Sequence, residues 1–270
     1  MKIMTFGSCF SRMVVDALLR LEHHDYISAI YNNRTDAFLA NVVKGSAEWL
    51  PDYDEVLNNM RYDPLHRKGH LEVLLNQYPE RGMGQHKTLI KRGNLFSTTV
   101  EQQADAIDLI IMDNYADLTA RLATYKPDPS KQLLLDFKKI TNFDDYFEMS
   151  DEFISVEESV ANFIQLFDFF TTTFPKAQVF FTHFAMQHYD DEKRVQRALQ
   201  FESLMAQAKQ TDRLHILPSL PVTDHYIAEQ KQHHQLAYYN YLAGYIKLFL
   251  STHAVRTPVS LQQGEPCLVH

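Results

Sequence analysis

The chain has 270 residues, of which 45% are hydrophobic and 22% charged, and its formal net charge is −8. These fractions are close to those of average globular proteins and exclude a disordered chain. The acidic balance excludes a surface built to neutralise the phosphates of nucleic acid. No stretch approaches the ~18 apolar residues of a membrane-spanning helix. Because α/β sheets of this size often fold as one unit, we expect a single domain over residues 1–270.

The N-terminal stretch MKIMTFGSCFSRMVVDALL does not fit a signal peptide, because polar residues interrupt its apolar run and no small-residue cleavage site follows. The two cysteines, Cys9 and Cys267, lie at opposite ends of the chain and are read most simply as reduced thiols. We therefore predict a cytoplasmic protein.

Short apolar runs alternate with segments of helical spacing. The runs at 2–6, 26–31, 106–112, 178–184 and 214–217 predict strands, and the spacing predicts helices over 10–21, 156–174, 192–209 and 234–250. Strands that alternate with helices pair in parallel through right-handed crossovers. The expected fold is a three-layer α/β/α arrangement with a mainly parallel, flavodoxin-like central sheet.

Three segments do not follow this alternation. Residues 61–100 are polar and rich in His, Arg and Gly, so we expect an excursion from the sheet that could act as a lid. Residues 132–137 fit another strand or the edge of an insertion, and 141–153 are aromatic and acidic without a clear period.

Reactive residue types cluster where the predicted strands end, which is where open parallel sheets bind ligands. Ser8 follows the first strand, and Asn114 follows the strand at 106–112. A nucleophile, an oxyanion donor, a base and an orienting carboxylate together make an acyl-transfer site. The last two types lie between the 214–217 strand and the last helix: Asp224, His225, His233 and His234.

Ser8 has two interpretations. Gly7 permits a tight turn, and the helix that starts near Phe10 directs its N–H groups toward the Ser8 hydroxyl, as a nucleophile requires. Alternatively, Ser8 is only the N-cap of that helix. Cys9 is a third possibility, because the pKa of a thiol near a helix N-terminus can fall.

The run FGSCFSR resembles block I of SGNH (GDSL-like) hydrolases, and its GSCF core resembles the opening motif of the GSCFA branch. It is also similar to SGNH-like bacterial proteins associated with capsule and surface polysaccharides. The resemblance covers roughly 1–40, 104–120 and 176–250. It implies that Ser8 is the nucleophile and that the Ser8 N–H and the side-chain amide of Asn114 hold the oxyanion, although Asp113 stands where the family usually has glycine. Alternatively, Asn114 only ends its strand by bonding its own backbone.

The same resemblance places a second donor after the second strand, where this chain has Asn32 and Asn33 instead of glycine. Arg34, just past that strand, would line the site or lie on the surface.

The Asp-x-x-His spacing of block V is absent, because Gln230 and Lys231 stand three residues before His233 and His234. His233 has the better spacing into the last helix and is the expected base. His234 would fit one residue out of phase, and His225 is a third candidate. Asp224 would orient the ring, or a Ser-His dyad would act without a carboxylate.

The chain has 13 histidines, most of which we expect to be solvated. The pairs His66/His70 and His183/His188 lack a third ligand at defined spacing, so neither a metal nor a cofactor is expected. His215 is expected to pack within its strand, and the tyrosines of the last helix against the sheet.

The resemblance implies a serine esterase or O-acyltransferase that acts on a small, acetyl-like ester of a carbohydrate. The alternative is a catalytically silent SGNH-like protein that binds a glycan or a partner in polysaccharide biosynthesis. A phosphate-binding protein fits less well, because no GxGxxG or GxxxxGK[ST] follows a strand.

Overall fold

The computed structural model describes residues 1–45, 49–63, 67–85, 93–135, 139–220, 222–223, 226–228 and 234–252, with the side chains of all of these except 67–70 and 252. The strands within these ranges are β1 (Lys2–Gly7), β2 (Asp25–Tyr31), β3 (Leu109–Asp113), β4 (Leu122–Tyr125), β5 (Gln132–Leu134), β6 (Phe147–Met149), β7 (Gln178–Thr182) and β8 (Leu214–Leu217). The helices are α1 (Cys9–Leu21), α2 (Thr35–Phe38), α3 (Tyr53–Asn59), α4 (Arg67–Leu75), α5 (Phe96–Gln103), α6 (Tyr115–Thr119), α7 (Phe143–Tyr146), α8 (Val156–Thr173), α9 (Glu192–Met205) and α10 (Leu236–Thr252).

The central sheet has five parallel strands in the order β2-β1-β3-β7-β8. This is the flavodoxin-like order, in which the second strand lies to one side of the first and all later strands lie to the other. The five predicted core strands are these five, so the predicted fold class is confirmed.

Helices cover both faces of this sheet because neighbouring strand residues point to opposite sides. The ring of Phe180 in β7 packs against Phe249 of α10, with 5.1 Å between centroids. The next residue, Phe181, packs against Phe163 of α8 at 5.0 Å and Phe201 of α9 at 5.9 Å. The helices α1 and α10 thus form one outer layer, and α8 and α9 form the other.

Some of the described residues within 61–100 lie along the outer edge of β2. Gly84 accepts a hydrogen bond from the Ala29 N–H at 2.8 Å, and the Asn94 N–H donates to Ile27 at 2.9 Å. Met83 and Phe96 join the main core. The segment therefore covers an otherwise open sheet edge, and its role as a lid stays a prediction.

A second, antiparallel sheet in the order β5-β4-β6 was not predicted. Two adjacent buried amides connect it to the first sheet. Asn76 bonds the edge of β2, accepting from the Tyr31 N–H at 2.7 Å and donating to Ala29 at 3.3 Å. Gln77 bonds β5 in the same way, accepting from the Leu134 N–H at 2.6 Å and donating to its carbonyl at 2.9 Å. Each side chain replaces a neighbouring strand.

One helix ends earlier than its periodicity predicts. The helical spacing of apolar residues continues to 209, but α9 ends at Met205. The N–H groups of Gln207 and Ala208 donate to carbonyls only three residues back, which tightens the last turn.

The described part of the chain contains no helix with the length and apolar character that a membrane span requires.

Asp117 connects three helices at the carboxyl edge of the central sheet. The buried carboxylate accepts hydrogen bonds from the N–H and hydroxyl of Thr35 in α2 and from the hydroxyl of Ser159 in α8. Burial raises the pKa of Asp117 from its ordinary value of 3.8 to about 6, against the lowering effect of these bonds.

This pKa predicts a specific pH dependence of stability. Between about pH 4 and pH 6 the native state holds a proton that the unfolded state has lost, so the free energy of unfolding should fall as pH rises through this window, by on the order of 3 kcal/mol. Asp117→Asn, neutral at every pH, should show a flatter curve in urea unfolding at pH 4 to 7. Parallel curves for the two proteins would contradict the assignment.

Candidate active site

The strands β1 and β3 are neighbours, but the helices α1 and α8, which lead from them to the next strands of the sheet, pack on opposite faces. Such a switch in direction opens a crevice at the carboxyl ends of the two strands, where open α/β sheets bind their ligands. Ser8 follows β1 at this point, and Asp113 and Asn114 stand at the end of β3. The structure therefore brings together Ser8 and Asn114, which the sequence predicts at the ends of these two strands.

Ser8 is the N-cap of α1. Its Oγ accepts a hydrogen bond from the Phe10 N–H at 3.1 Å and donates one to Oδ2 of Asp113 at 3.1 Å. The residue is 2% exposed. The capping interpretation thus describes the geometry, and the nucleophilic role stays a prediction.

Asp113 is the residue that sequence reasoning missed, because it was considered only as a replacement for a family glycine. Its Oδ2 accepts the N–H groups of Ser8 at 2.8 Å and Ser11 at 2.9 Å in addition to the Ser8 hydroxyl, and its Oδ1 accepts the Tyr115 N–H at 3.0 Å. Burial raises the pKa of Asp113, although these hydrogen bonds act to lower it. In this structure the Ser8 N–H binds a carboxylate of the protein itself, not an oxyanion.

Gly7 lets this carboxylate approach the turn. Its φ is +153°, and a Cβ at this position would lie 2.4 Å from Oδ2 of Asp113. Only glycine leaves room for the carboxylate and adopts this backbone conformation without strain.

Gly7→Ala should therefore lower the free energy of unfolding by at least ~2 kcal/mol, since both the contact and the backbone become strained. The matched control is Gly244→Ala within α10, where an added Cβ meets nothing within 4 Å. That change should raise stability by up to ~1 kcal/mol, because alanine forms helix better than glycine. Urea unfolding measures both, and equal effects would refute the role of Gly7.

Loss of the Asp113 carboxylate should be costly as well, because four bonded donors would lose their acceptor. We expect Asp113→Ala to lower the free energy of unfolding by about 4 kcal/mol. The control is Asp108→Ala, at the other end of β3, where an exposed carboxylate accepts the Lys2 N–H and, among the described residues, no other hydrogen bond. That change should cost under ~1 kcal/mol, and a similar loss in the two variants would contradict this interpretation.

Asn114 is 2% exposed, and its orientation is determined by one bond. Its Oδ1 accepts the N–H of Phe184, just after β7, at 2.9 Å. Among the described residues, none accepts a hydrogen bond from its Nδ2. A fixed amide with a remaining donor is what an oxyanion contact requires.

Cys9 is the first residue of α1 and is half-buried. Its pKa is raised to about 11, first by burial and then by the charge of Asp113, although the charge of Arg12 opposes this. The sequence-based expectation that the helix N-terminus lowers this pKa is therefore wrong, because burial and a nearby carboxylate dominate.

Burial raises the pKa of four tyrosines, and the charge of Cys9 adds to the rise in each. These are Tyr31 in β2, Tyr115 in α6, Tyr189 after β7 and Tyr239 in α10.

His234 lies next to the start of α1. Its ring is 4% exposed, stacks on Tyr238 with 4.7 Å between centroids, and contacts Phe10 and Phe184 at 5.5 Å each. His188 packs against it at 5.3 Å. An imidazole therefore stands beside the residue that follows Cys9.

The other predicted members of the acid–base set, Asp224, His225 and His233, lie outside the described residues. Their roles stay predictions.

The residues after β2 are engaged in the fold. Asn32 has a φ of 49°, and its N–H donates to the Gly7 carbonyl at 2.7 Å, so that group binds the protein itself. Arg34 is buried and forms a two-pronged ion pair with Asp36, with Nε–Oδ1 at 3.1 Å and Nη2–Oδ2 at 2.5 Å. Placement of Arg34 on the surface is therefore wrong.

Two further histidines, His183 and His215, fit a packing role. His183 is buried, and burial lowers its pKa to about 4. His215 is buried in β8 and bonds Gln178 at 2.7 Å, as expected for a packed residue. Within the described residues, no three His, Cys, Asp or Glu side chains are grouped as a metal site would need.

No family model matches the sequence, and no curated protein matches it. Among solved structures, the chain is similar to an acetyl xylan esterase, Est2A, from the rumen bacterium Butyrivibrio proteoclasticus, at 12% identity and a TM-score of 0.38. It is also similar to a family two carbohydrate esterase from Clostridium thermocellum in complex with cellohexaose, at 11% identity and a TM-score of 0.42. Each comparison covers 93% of this chain and 64% of the other, so the chain spans less than two thirds of these proteins. Similarity this low assigns neither a substrate nor a catalytic residue.

Proposed function

We propose that this chain is an SGNH-type acyl-transfer enzyme, an esterase or O-acyltransferase for a small acetyl-like ester of a carbohydrate. One observation carries the proposal: the dipeptide Ser8–Cys9 places a hydroxyl and a thiol at the N-terminus of α1, in the crevice between β1 and β3. The carbohydrate part rests on the resemblance of the FGSCFSR run.

The surroundings suit a reaction that develops negative charge. The N-terminus of a 13-residue helix carries a partial positive charge, and Asn114 offers an amide donor from the neighbouring strand end. Donors fixed before the reaction stabilise a tetrahedral oxyanion without reorganisation. The crevice thus combines a nucleophile with charge stabilisation.

A base is also needed, because neither a serine hydroxyl nor a thiol with a pKa of about 11 is ionised at neutral pH. His233 is the predicted base on sequence spacing, with His234 as its alternative. The ring of His234 stands against Phe10, close to the nucleophile pair. Asp224 is the proposed orienting carboxylate.

A second candidate function is a catalytically silent glycan- or partner-binding protein. It is favoured by the state of Ser8, whose hydroxyl and N–H both bind Asp113 and whose side chain is buried. A serine held in this way serves the turn, and neither its N–H nor its hydroxyl is left for a substrate.

A trapping experiment on the full chain tests the proposed function. With p-nitrophenyl acetate, the wild type should release nitrophenol and carry one acetyl group on the peptide that contains Ser8 and Cys9. The double variant Ser8→Ala/Cys9→Ala should lose at least ~1000-fold in turnover.

The matched control for that variant is Ser155→Ala, which removes a serine that caps α8 through the Glu158 N–H. It should keep wild-type turnover. A folded wild type that is never acetylated but binds oligosaccharide would replace the proposed function with the second candidate.

A further inference from the structure

We propose that the chain has a second ligand site, a cavity formed largely by residues 41–101, and that this cavity binds a neutral saccharide. Its volume is about 810 Å³. None of its described lining residues belongs to the crevice between β1 and β3. The inference therefore goes beyond the proposed function and does not depend on it.

The walls of the cavity come from parts of the chain that are far apart in sequence. They are the turn after α2, the loop before α3, the turn after α4, and residues of α5, β5 and α8 or next to them. Sites for small molecules have volumes of roughly 300–1,000 Å³ and combine apolar walls with a few polar groups. This cavity has the size of such a site.

Aromatic rings form much of the apolar wall. Tyr53 and Tyr78 pack edge to face, with 5.2 Å between centroids and 77° between planes, and Phe96 and Phe169 meet at 6.4 Å and 48°. The rings of each pair contact each other at an angle, so neither pair forms the parallel slot that a flat heteroaromatic ligand would occupy. A puckered saccharide ring needs no slot, because its C–H groups pack on a single ring.

Polar side chains that bind hydroxyl groups complete the wall. Asn41 supplies an amide, Ser97 a hydroxyl, Glu101 a carboxylate and Lys131 an ammonium group. Among the described residues, none hydrogen-bonds these four side chains. Together they offer both donors and acceptors, which the hydroxyl groups of a saccharide need because each can donate and accept.

The charges of the lining favour a neutral ligand. Five charged side chains line the cavity, three acidic and two basic: Asp52, Glu80, Glu101, Arg81 and Lys131. Arg81 is also paired with Asp54, with Nη2–Oδ2 at 2.8 Å. A wall with an excess of negative charge repels a phosphorylated or carboxylated ligand. An uncharged saccharide meets no such repulsion.

Contacts within the protein hold the aromatic wall in place. The Tyr78 hydroxyl donates to the Pro51 carbonyl at 2.9 Å. The guanidinium carbon of Arg81 lies 4.9 Å from the centroid of the Tyr53 ring. Because these rings are fixed before a ligand enters, less side-chain entropy is lost on binding.

The turn that contributes Asn41 to the wall has an unusual backbone. It is a π-helix, Leu39–Val43, in which the Lys44 N–H donates to the Leu39 carbonyl five residues back at 2.9 Å. Turns of π-helix are rare and are frequently found at functional sites. This backbone feature supports a ligand site independently of the shape and composition of the cavity.

A titration of the full chain with neutral oligosaccharides tests the proposal. Trp49 is the single tryptophan of the chain and precedes Leu50 in the cavity wall, so its fluorescence reports on the cavity. At least one of cellohexaose, xylohexaose and maltohexaose should change this fluorescence and bind in isothermal titration calorimetry. Adenosine, a flat aromatic probe, should do neither.

Two variants locate the bound saccharide. Tyr53→Ala should weaken its binding at least ~10-fold through loss of the ring. Glu101→Ala changes an exposed side chain that folding does not need, and should also weaken binding by ~10-fold through loss of a charged hydrogen-bond acceptor. The control is Tyr241→Ala, an exposed tyrosine of α10 outside the lining, which should bind as wild type. Circular dichroism checks that each variant folds.

Three results would overturn the proposal. A saccharide that binds wild type and both cavity variants equally lies elsewhere on the chain. Binding of adenosine without any saccharide would give the cavity a ligand of a different class. A folded wild type that binds none of the saccharides has no such site. None of these results depends on acetylation at Ser8 or Cys9, so the acyl-transfer function is tested separately.

Discussion

The carboxylate of Asp113 organises the turn between β1 and α1 on which the rest of the carboxyl edge depends. A helix starts with N–H groups that have no partner within the helix, and this carboxylate accepts two of them, from Ser8 and Ser11, 105 and 102 residues away in sequence. The approach requires glycine at position 7, where any side chain would collide. The start of α1 is thereby fixed to the end of β3 by one buried carboxylate.

Alternating apolar and helical patterns were sufficient to predict the five strands of the central sheet. The signal is strongest for β3 and β7, which are buried on both faces and so appear as apolar runs. The second sheet could not be predicted in this way. Its strands have only three or four residues, and β5 is completed by the side chain of Gln77, a contact 57 residues away in sequence. A polar residue that replaces a strand has no periodic signature.

The candidate site was predictable in part. Strand ends and the Gly7-Ser8 turn placed Ser8 and Asn114 in one crevice, because carboxyl ends of parallel strands share an edge. The partners of the Ser8 side chain were not predictable, because they depend on where α1 begins and on which group accepts the Ser8 proton. Asp113 determines both, and its partners become visible only when β1 and β3 pair.

The same carboxylate also constrains the chemistry open to the thiol beside it. A negative charge at Asp113 opposes a second one at Cys9, as the raised pKa of the thiol reflects after the effect of burial. A resting thiolate would need that repulsion to be offset by a cation, and Arg12 offsets it only in part. A thiol at this position therefore stays protonated at neutral pH, so Cys9 could act as a nucleophile only together with a general base.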